Sequence, residues 1–171
     1  MTVSSSDDST PITKKGLERL EKELHQLKSE ERPRIVEAIQ RARELGDLSE
    51  NADYSAAKEK QSMIEGKIQY LESLISSCYE YKIEYSSSDS EPNVTVKFGA
   101  TVEMENLDTS ERVTYTIVSE YESNIKKGLI SLNSPIAVSA IGNSVGDMIE
   151  VKASTIKQYK IIKIEYKDIE I

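Results

Sequence analysis

In the first half of the chain the apolar residues recur at alternating steps of three and four, and no other feature restricts the possible folds as much. Leu17, Leu20, Leu24 and Leu27 form one such run, and Ile64, Ile68, Leu71, Ile75 and Cys78 form another. A repeat near 3.5 residues marks one stripe of an α-helix, the seam through which two helices pack. Pro33 interrupts the first run, because its ring lacks an N–H and collides with the preceding turn, so a kink or a new helix start is expected there. Ile35, Ile39, Ala42 and Leu45 then resume the stripe. Between the two runs lies Gly46-Asp47-Leu48-Ser49-Glu50-Asn51-Ala52-Asp53-Tyr54, with Gly46 placed as a helix-ending glycine and a second helix expected from about Asp47–Ser49. Two seams joined by so short a turn pair as an antiparallel hairpin, each arm reaching roughly 45 Å at a helical rise of about 1.5 Å per residue. Whatever chemistry the turn carries is delivered at a tip.

The remainder divides by composition. Residues 1–11 are Ser/Thr/Asp-rich and read as a flexible tail, after which Thr13 is placed to cap a helix that exposes Lys14 and Lys15. Residues 12–80 form the hairpin, with its acidic tip at 46–54. Residues 81–92 read as a linker, ending in Ser86-Ser87-Ser88-Asp89-Ser90-Glu91-Pro92. Residues 93–171 change to alternation with a period of two, in Val94/Val96/Phe98, Val113/Tyr115/Ile117 and Ile149/Val151, the pattern of strands with one buried face. Asn106-Leu107-Asp108-Thr109 and Val145-Gly146-Asp147-Met148 supply turns, and Ser134-Pro135 opens a short helix through Ile141 that Gly142 stops. Over Tyr159–Tyr166 strict alternation puts Tyr159, Ile161 and Lys163 on one face and Ile162, Ile164 and Tyr166 on the other. The fold class is α+β: a helical hairpin, then an antiparallel sheet with one short helix.

Several function classes drop out. The net charge is −8, and no region has the basic excess that autonomous nucleic-acid binding requires. One cysteine, Cys78, allows no internal disulfide, and one histidine, His25, allows neither a His-based triad nor a multi-histidine metal site. No run approaches the roughly 20 apolar residues of a membrane span, and the N-terminus lacks the apolar core of a secretion signal, so a cytoplasmic protein is expected.

The tip admits two readings. Asp47 and Glu50, three apart, match a capping box, in which the first accepts from a helix N–H and the second reaches back. The same two carboxylates facing outward could share a hard divalent cation such as Mg²⁺, which takes one or two carboxylates, water and a substrate phosphate. Two acids hold Mg²⁺ poorly, so this second reading requires a partner that supplies the other ligands. Asp53 and Tyr54 lie one turn on. Tyr54 either packs against the seam or stacks on a base. Arg41, Arg43, Lys58 and Lys60 behind the tip are either solvated partners of neighbouring glutamates or phosphate contacts.

The tip motif, set between two seamed arms, resembles the bacterial Gre transcription elongation factors. A second match is Leu129-Ile130-Ser131-Leu132-Asn133-Ser134-Pro135-Ile136-Ala137 with Ile141-Gly142, and the region around Ser134-Pro135 is similar to the GreA branch. The resemblance covers about residues 12–166. It implies a coiled-coil hairpin and an FKBP-like C-terminal domain, and a monomer that docks at the rim of RNA polymerase's secondary channel. It also implies that Asp47 and Glu50 enter the channel and help hold a Mg²⁺ shared with the polymerase active site, where they position the water that cleaves backtracked RNA. By the same resemblance the factor binds no cofactor alone and is not itself the nuclease. Asp53, Tyr54, Arg43 and Lys58 are then expected near the nascent RNA 3′ end, and Ser134, Pro135 and Ile136 at the docking surface. The other reading of Ser134–Ile141 is a helix N-terminus that simply packs on the sheet. A channel-binding inhibitor shares this architecture. Prolyl isomerisation, suggested by the fold alone, needs an apolar aromatic-lined pocket that one Phe, no Trp and scattered Tyr make hard to build, and a purely structural adaptor would use Asp47 and Glu50 only as caps.

Overall fold

The computed structural model describes residues 9–44, 51–87, 93–153 and 155–171. They divide into two compact units, one of Leu17–Cys78 and the other of Thr10–Gly16 with Tyr79–Ile171.

In the first unit, α1 (Lys14–Gln26) enters from the second unit and runs through a π turn, Leu27–Glu31, into α2 (Arg32–Glu44), and α3 (Ala52–Ser77) returns alongside. The expected disturbance at Pro33 takes the form of that π turn. The Arg32 N–H donates to the Leu27 carbonyl, five residues back, one residue before the proline that could donate nothing. The seam is buried as read. Ile35 and Ile39 of α2 pack with Ala57, Ile64 and Ile68 of α3, and Leu24 and Leu27 join from the first arm. Beyond Leu71 the buried position passes to Leu74 while Ile75 is half-buried, as a 3.6-residue helix drifts from a 3.5-residue repeat. Ion pairs cross the hairpin at Lys67–Glu23 (2.6 Å), Lys28–Glu72 (2.6 Å) and Arg32–Glu65. The Arg32 guanidinium hydrogen bonds hold the Glu65 carboxyl below its ordinary range. These pairs are exposed and fix register more than stability.

The second unit contains β1 (Thr10–Ile12) paired with β2 (Cys78–Glu80), and a six-stranded sheet. Its strands are β3 (Ser86–Ser87), β4 (Ala100–Asn106), β5 (Arg112–Val118), β6 (Leu129–Ser131), β7 (Met148–Lys152) and β8 (Ile156–Tyr166). The order is β3-β8-β4-β5-β6, with β7 also on β8, and every pairing in this sheet is antiparallel except β5–β6. Helix α4 (Pro135–Ala140) closes one face by burying Ala137 and Ala140 against Val102, Ile117, Ile149 and Ile161.

Four details depart from the sequence reading. Thr10 and Pro11, assigned to the tail, lie in β1, and Ile12 beside them is completely buried. The segment expected to be hairpin, 12–80, ends in the strand β2, and the expected linker, 81–92, contains β3. Residues 94–98 alternate in burial but make only an isolated bridge, Thr95 with Ser144; the Val96 N–H donates to the Asn143 carbonyl (2.9 Å) and its carbonyl accepts from the Gly142 N–H (2.8 Å), and no ladder extends beyond these bonds. In β8 the alternation breaks at Ile162. Glu103 faces Lys163 and Met104 faces Ile161, so Ile162 is an extra residue on one side of a bulge. Tyr159, Ile161 and Ile164 all reach the same core for that reason.

Tyr166, near the end of β8, ties the 93–98 segment to the sheet. Its hydroxyl donates to the Thr95 carbonyl (2.7 Å) and accepts from the Lys97 N–H (2.9 Å). Burial pushes this phenol up to about 12. A raised acid is held protonated in the fold, so its contribution is intact below about pH 10, the ordinary tyrosine value, and is lost as pH climbs towards 12. Between these pH values the urea midpoint of wild type is expected to fall more steeply than that of Tyr166→Phe, which has no phenol to ionise. Parallel urea titrations of the two proteins check this.

Candidate functional site at the hairpin tip

Leu45–Glu50, with the expected metal-site residues Asp47 and Glu50, lies outside the described residues. Both of its flanks are described, and one residue joins them. Asn51, in an extended conformation, caps α3. Its Oδ1 accepts from the Tyr54 N–H (3.0 Å), and its Nδ2 donates to the Ala42 carbonyl in the last turn of α2 (2.8 Å). A helix leaves unsatisfied N–H groups at its start and carbonyls at its end. The amide of asparagine, with an acceptor and a donor on one carbon, serves one of each. The tip therefore rests on a closed base.

This corrects the expected start of the second helix. It begins at Ala52, not around Asp47–Ser49, and Asn51 is its N-cap. Asp47 and Glu50 precede the cap, so neither occupies the N-cap or third helical position of α3, and the capping-box reading does not hold for that helix. The signal for Asn51 was present, since asparagine is among the preferred N-caps, but Asp47 matched the box pattern and drew the assignment. Asn51→Ala is expected to cost about 1–2 kcal/mol, because it removes the cap and leaves the Ala42 carbonyl without its donor. Asn51→Asp is expected to keep the cap and lose only the Ala42 bond. Chemical unfolding monitored by helicity measures both.

The structure brings three of the other expected site residues together. The Arg43 guanidinium stands 5.7 Å from the centroid of the Tyr54 ring, within cation–π range. Tyr54 is half-buried and packs against the buried cluster of the hairpin seam, as the packing alternative has it. Arg43 and Lys58 line one shallow cleft of about 350 Å³, with Val36, Ile39, Gln40 and Gln61. Asp53 is exposed in the first turn of α3. Of the remaining tip cations, Arg41 pairs with Glu37 on its own helix (2.5 Å), as the solvated-partner reading has it.

In the second unit, Ser134 caps α4 by accepting from the Ala137 N–H (3.3 Å), and Pro135 occupies the first turn, where no N–H is needed. Ser134, Pro135 and Ile136 line an apolar cavity of about 290 Å³ with Tyr115, Ile130 and Tyr159, and Ile125 stands at it 71% exposed. The reading of this segment as a helix N-terminus that packs on the sheet holds. The segment also presents an accessible apolar concavity.

Set beside known proteins, residues 10–79 match the family model described as "Transcription elongation factor, N-terminal", and residues 91–166 match "Transcription elongation factor, GreA/GreB, C-term". The chain belongs to the GreA/GreB family of transcription elongation factors. Among its GreA/GreB relatives, "Transcription elongation factor GreA" of Rickettsia felis is 49% identical over 164 residues, covering 94% of this chain and 97% of that protein. The GreA proteins of Halorhodospira halophila and Verminephrobacter eiseniae are 48% and 46% identical, each covering 92% of this chain and 98% of their own length. The crystal structure of GreA factor homolog 1 (Gfh1) of Thermus thermophilus aligns with 24% identity and a TM-score of 0.41, over 91% of this chain and 98% of its own. Among the described residues no helix is long and apolar enough to cross a membrane.

Proposed function

We propose that this GreA/GreB family member acts on RNA polymerase as a monomer. It inserts its hairpin into the secondary channel and completes a Mg²⁺ site there, so that the polymerase hydrolyses its own backtracked RNA. The factor is a donor of ligands and not a nuclease. Asp47 and Glu50 supply two carboxylates, the share that Mg²⁺ commonly takes from protein, and the polymerase and the RNA phosphate supply the rest. Held there, Mg²⁺ would supply a lowered pKa for bound water and positive charge at the phosphate. Water adds at phosphorus, the bond to the 3′ oxygen breaks, and a new 3′ hydroxyl is left from which synthesis resumes.

The observation that carries this reading is that Asn51 caps α3, which leaves Asp47 and Glu50 without that structural duty in a chain of this family. Supporting roles follow from position. Arg43 and Lys58 line one cleft behind the tip and suit the phosphates of the extruded 3′ end, with Tyr54 beneath Arg43 and Asp53 exposed at the start of α3. Ser134, Pro135 and Ile136 form the apolar docking surface at the channel rim.

The test is transcript cleavage by a backtracked polymerase complex, with and without the protein, over a Mg²⁺ titration. Stimulation of cleavage that depends on Mg²⁺ is expected, with recovery of elongation. Binding without stimulation would overturn the reading in favour of a channel-blocking factor.

A further inference from the structure

The most completely buried carboxylate among the described residues plays no part in the proposed chemistry. Glu122 is 1% exposed, at the third position of the 3-10 turn Glu120–Glu122. It reaches back to its own N-cap, accepting from the Ser119 N–H (3.2 Å) and hydroxyl (2.6 Å). It also accepts from the N–H (3.2 Å) and hydroxyl of Thr13, 109 residues away. Thr13 is the N-cap of α1, its hydroxyl oxygen accepting from the Gly16 N–H (3.0 Å). In a capping box the third helical residue is a glutamate that bonds the N-cap N–H. Here that position is Gly16, and the glutamate comes from a distant turn. The missing side chain is what admits it, since a Cβ on Gly16 would lie 2.6 Å from Glu122 Cδ. One carboxylate therefore completes the caps of two helical turns. Lys15 adds a second tie, donating to Asp168 (3.2 Å) and to the Ile169 carbonyl (3.1 Å).

We infer that Glu122 is a positioning residue for RNA cleavage. Through Thr13 it gives the helix that leads to the tip a rigid starting point in the globular unit, and this inference rests on the cleavage function proposed above. Four donors converge on the carboxylate, two of them backbone N–H groups that cannot reverse their polarity. Glutamine keeps the shape but has one acceptor oxygen, so one of those N–H groups must face an amide NH₂. The anchor should loosen while the docking surface at Ser134–Ile136 is untouched.

The experiment titrates wild type, Glu122→Gln, Thr13→Val and Thr13→Ser into backtracked complexes, at a temperature where circular dichroism shows each folded. For Glu122→Gln, cleavage at saturating factor is expected to fall about 10-fold, since small misplacements of reacting groups are costly. The half-saturating concentration should move less than about 3-fold, because the docking contacts remain. Thr13→Val should lower the saturated rate in the same way, and Thr13→Ser, which keeps the hydroxyl, should restore it. Hydrogen exchange at the Thr13 and Gly16 amides is read in parallel and should quicken in Glu122→Gln and Thr13→Val only. Wild-type saturated rates in a folded Glu122→Gln, or a loss seen wholly in the half-saturating concentration, would overturn the inference. If Glu122→Gln does not fold, the Thr13 pair decides: equal rates for Val and Ser overturn it. A wild type that stimulates no cleavage rejects the proposed function instead. Exchange then still reports whether the anchor exists, and unchanged exchange rejects that too.

Discussion

Asp47→Asn is expected to lower stimulated RNA cleavage by about 100-fold, the scale seen when one preorganised electrostatic group is removed from a reacting centre. Its melting temperature should stay that of wild type. The two expectations together make the substitution informative. Asparagine caps a helix about as well as aspartate, so any local capping by residue 47 survives, and α3 draws its cap from Asn51 in any case. What disappears is one negative charge available to Mg²⁺. Polymerase binding should persist, because the proposed docking residues, Ser134, Pro135 and Ile136, lie in the other unit. Cleavage rates at saturating factor, with thermal unfolding of the same preparations, make the comparison. A variant as active as wild type would mean that the residue-47 carboxylate is not a ligand.

Gly16→Ala is expected to destabilise the globular unit by about 3 kcal/mol, combining overpacking with the displacement of a buried hydrogen-bonded carboxylate. For a chain of this size that corresponds to a melting temperature lower by about 6–12 °C. In isolation an alanine should stabilise a helix, because glycine has more backbone entropy to lose. Here the new Cβ would overlap Glu122, whose carboxyl end cannot swing aside without abandoning Thr13 and Ser119. Gly66 is the internal control. It lies inside α3 with nothing within 4 Å of an added Cβ, so Gly66→Ala should raise stability by about 0.5–1 kcal/mol. Opposite signs for the same substitution in two helices, read by calorimetry, would show that contact and not propensity governs Gly16.

Much of the hairpin was legible because a helix converts sequence spacing directly into a face. Leu20, Ile35, Ile39, Ile64, Ile68 and Leu71 are all buried as the 3–4 alternation requires. In the second unit the turns at Asn106–Thr109 and Gly146, the helix opened by Ser134-Pro135 and the β7 alternation were equally local. Asn106 Oδ1 accepts from the Asp108 and Thr109 N–H groups (2.8 and 3.2 Å) within its own turn. What failed depended on a partner strand or a distant residue. The bulge at Ile162 exists only opposite Glu103 and Met104, and the burial of Val94 and Val96 without a ladder depends on the core around them.

The candidate site follows the same division. The chain by itself determined the two seams, the acids between them and the basic residues behind, since residue type and spacing suffice for each. Only the tertiary structure decided that Asn51 closes the base of the tip by joining α2 to α3, and that Arg43 lies over Tyr54. The same holds for Gly16, which is a glycine because Glu122 arrives from more than a hundred residues away. Ser119-x-x-Glu122 and Thr13-x-x-Gly16 are each readable as local cap patterns. That one carboxylate serves both is a fact of packing, for a hydrogen bond depends on where its partner lies in space and not on how far away it is along the chain.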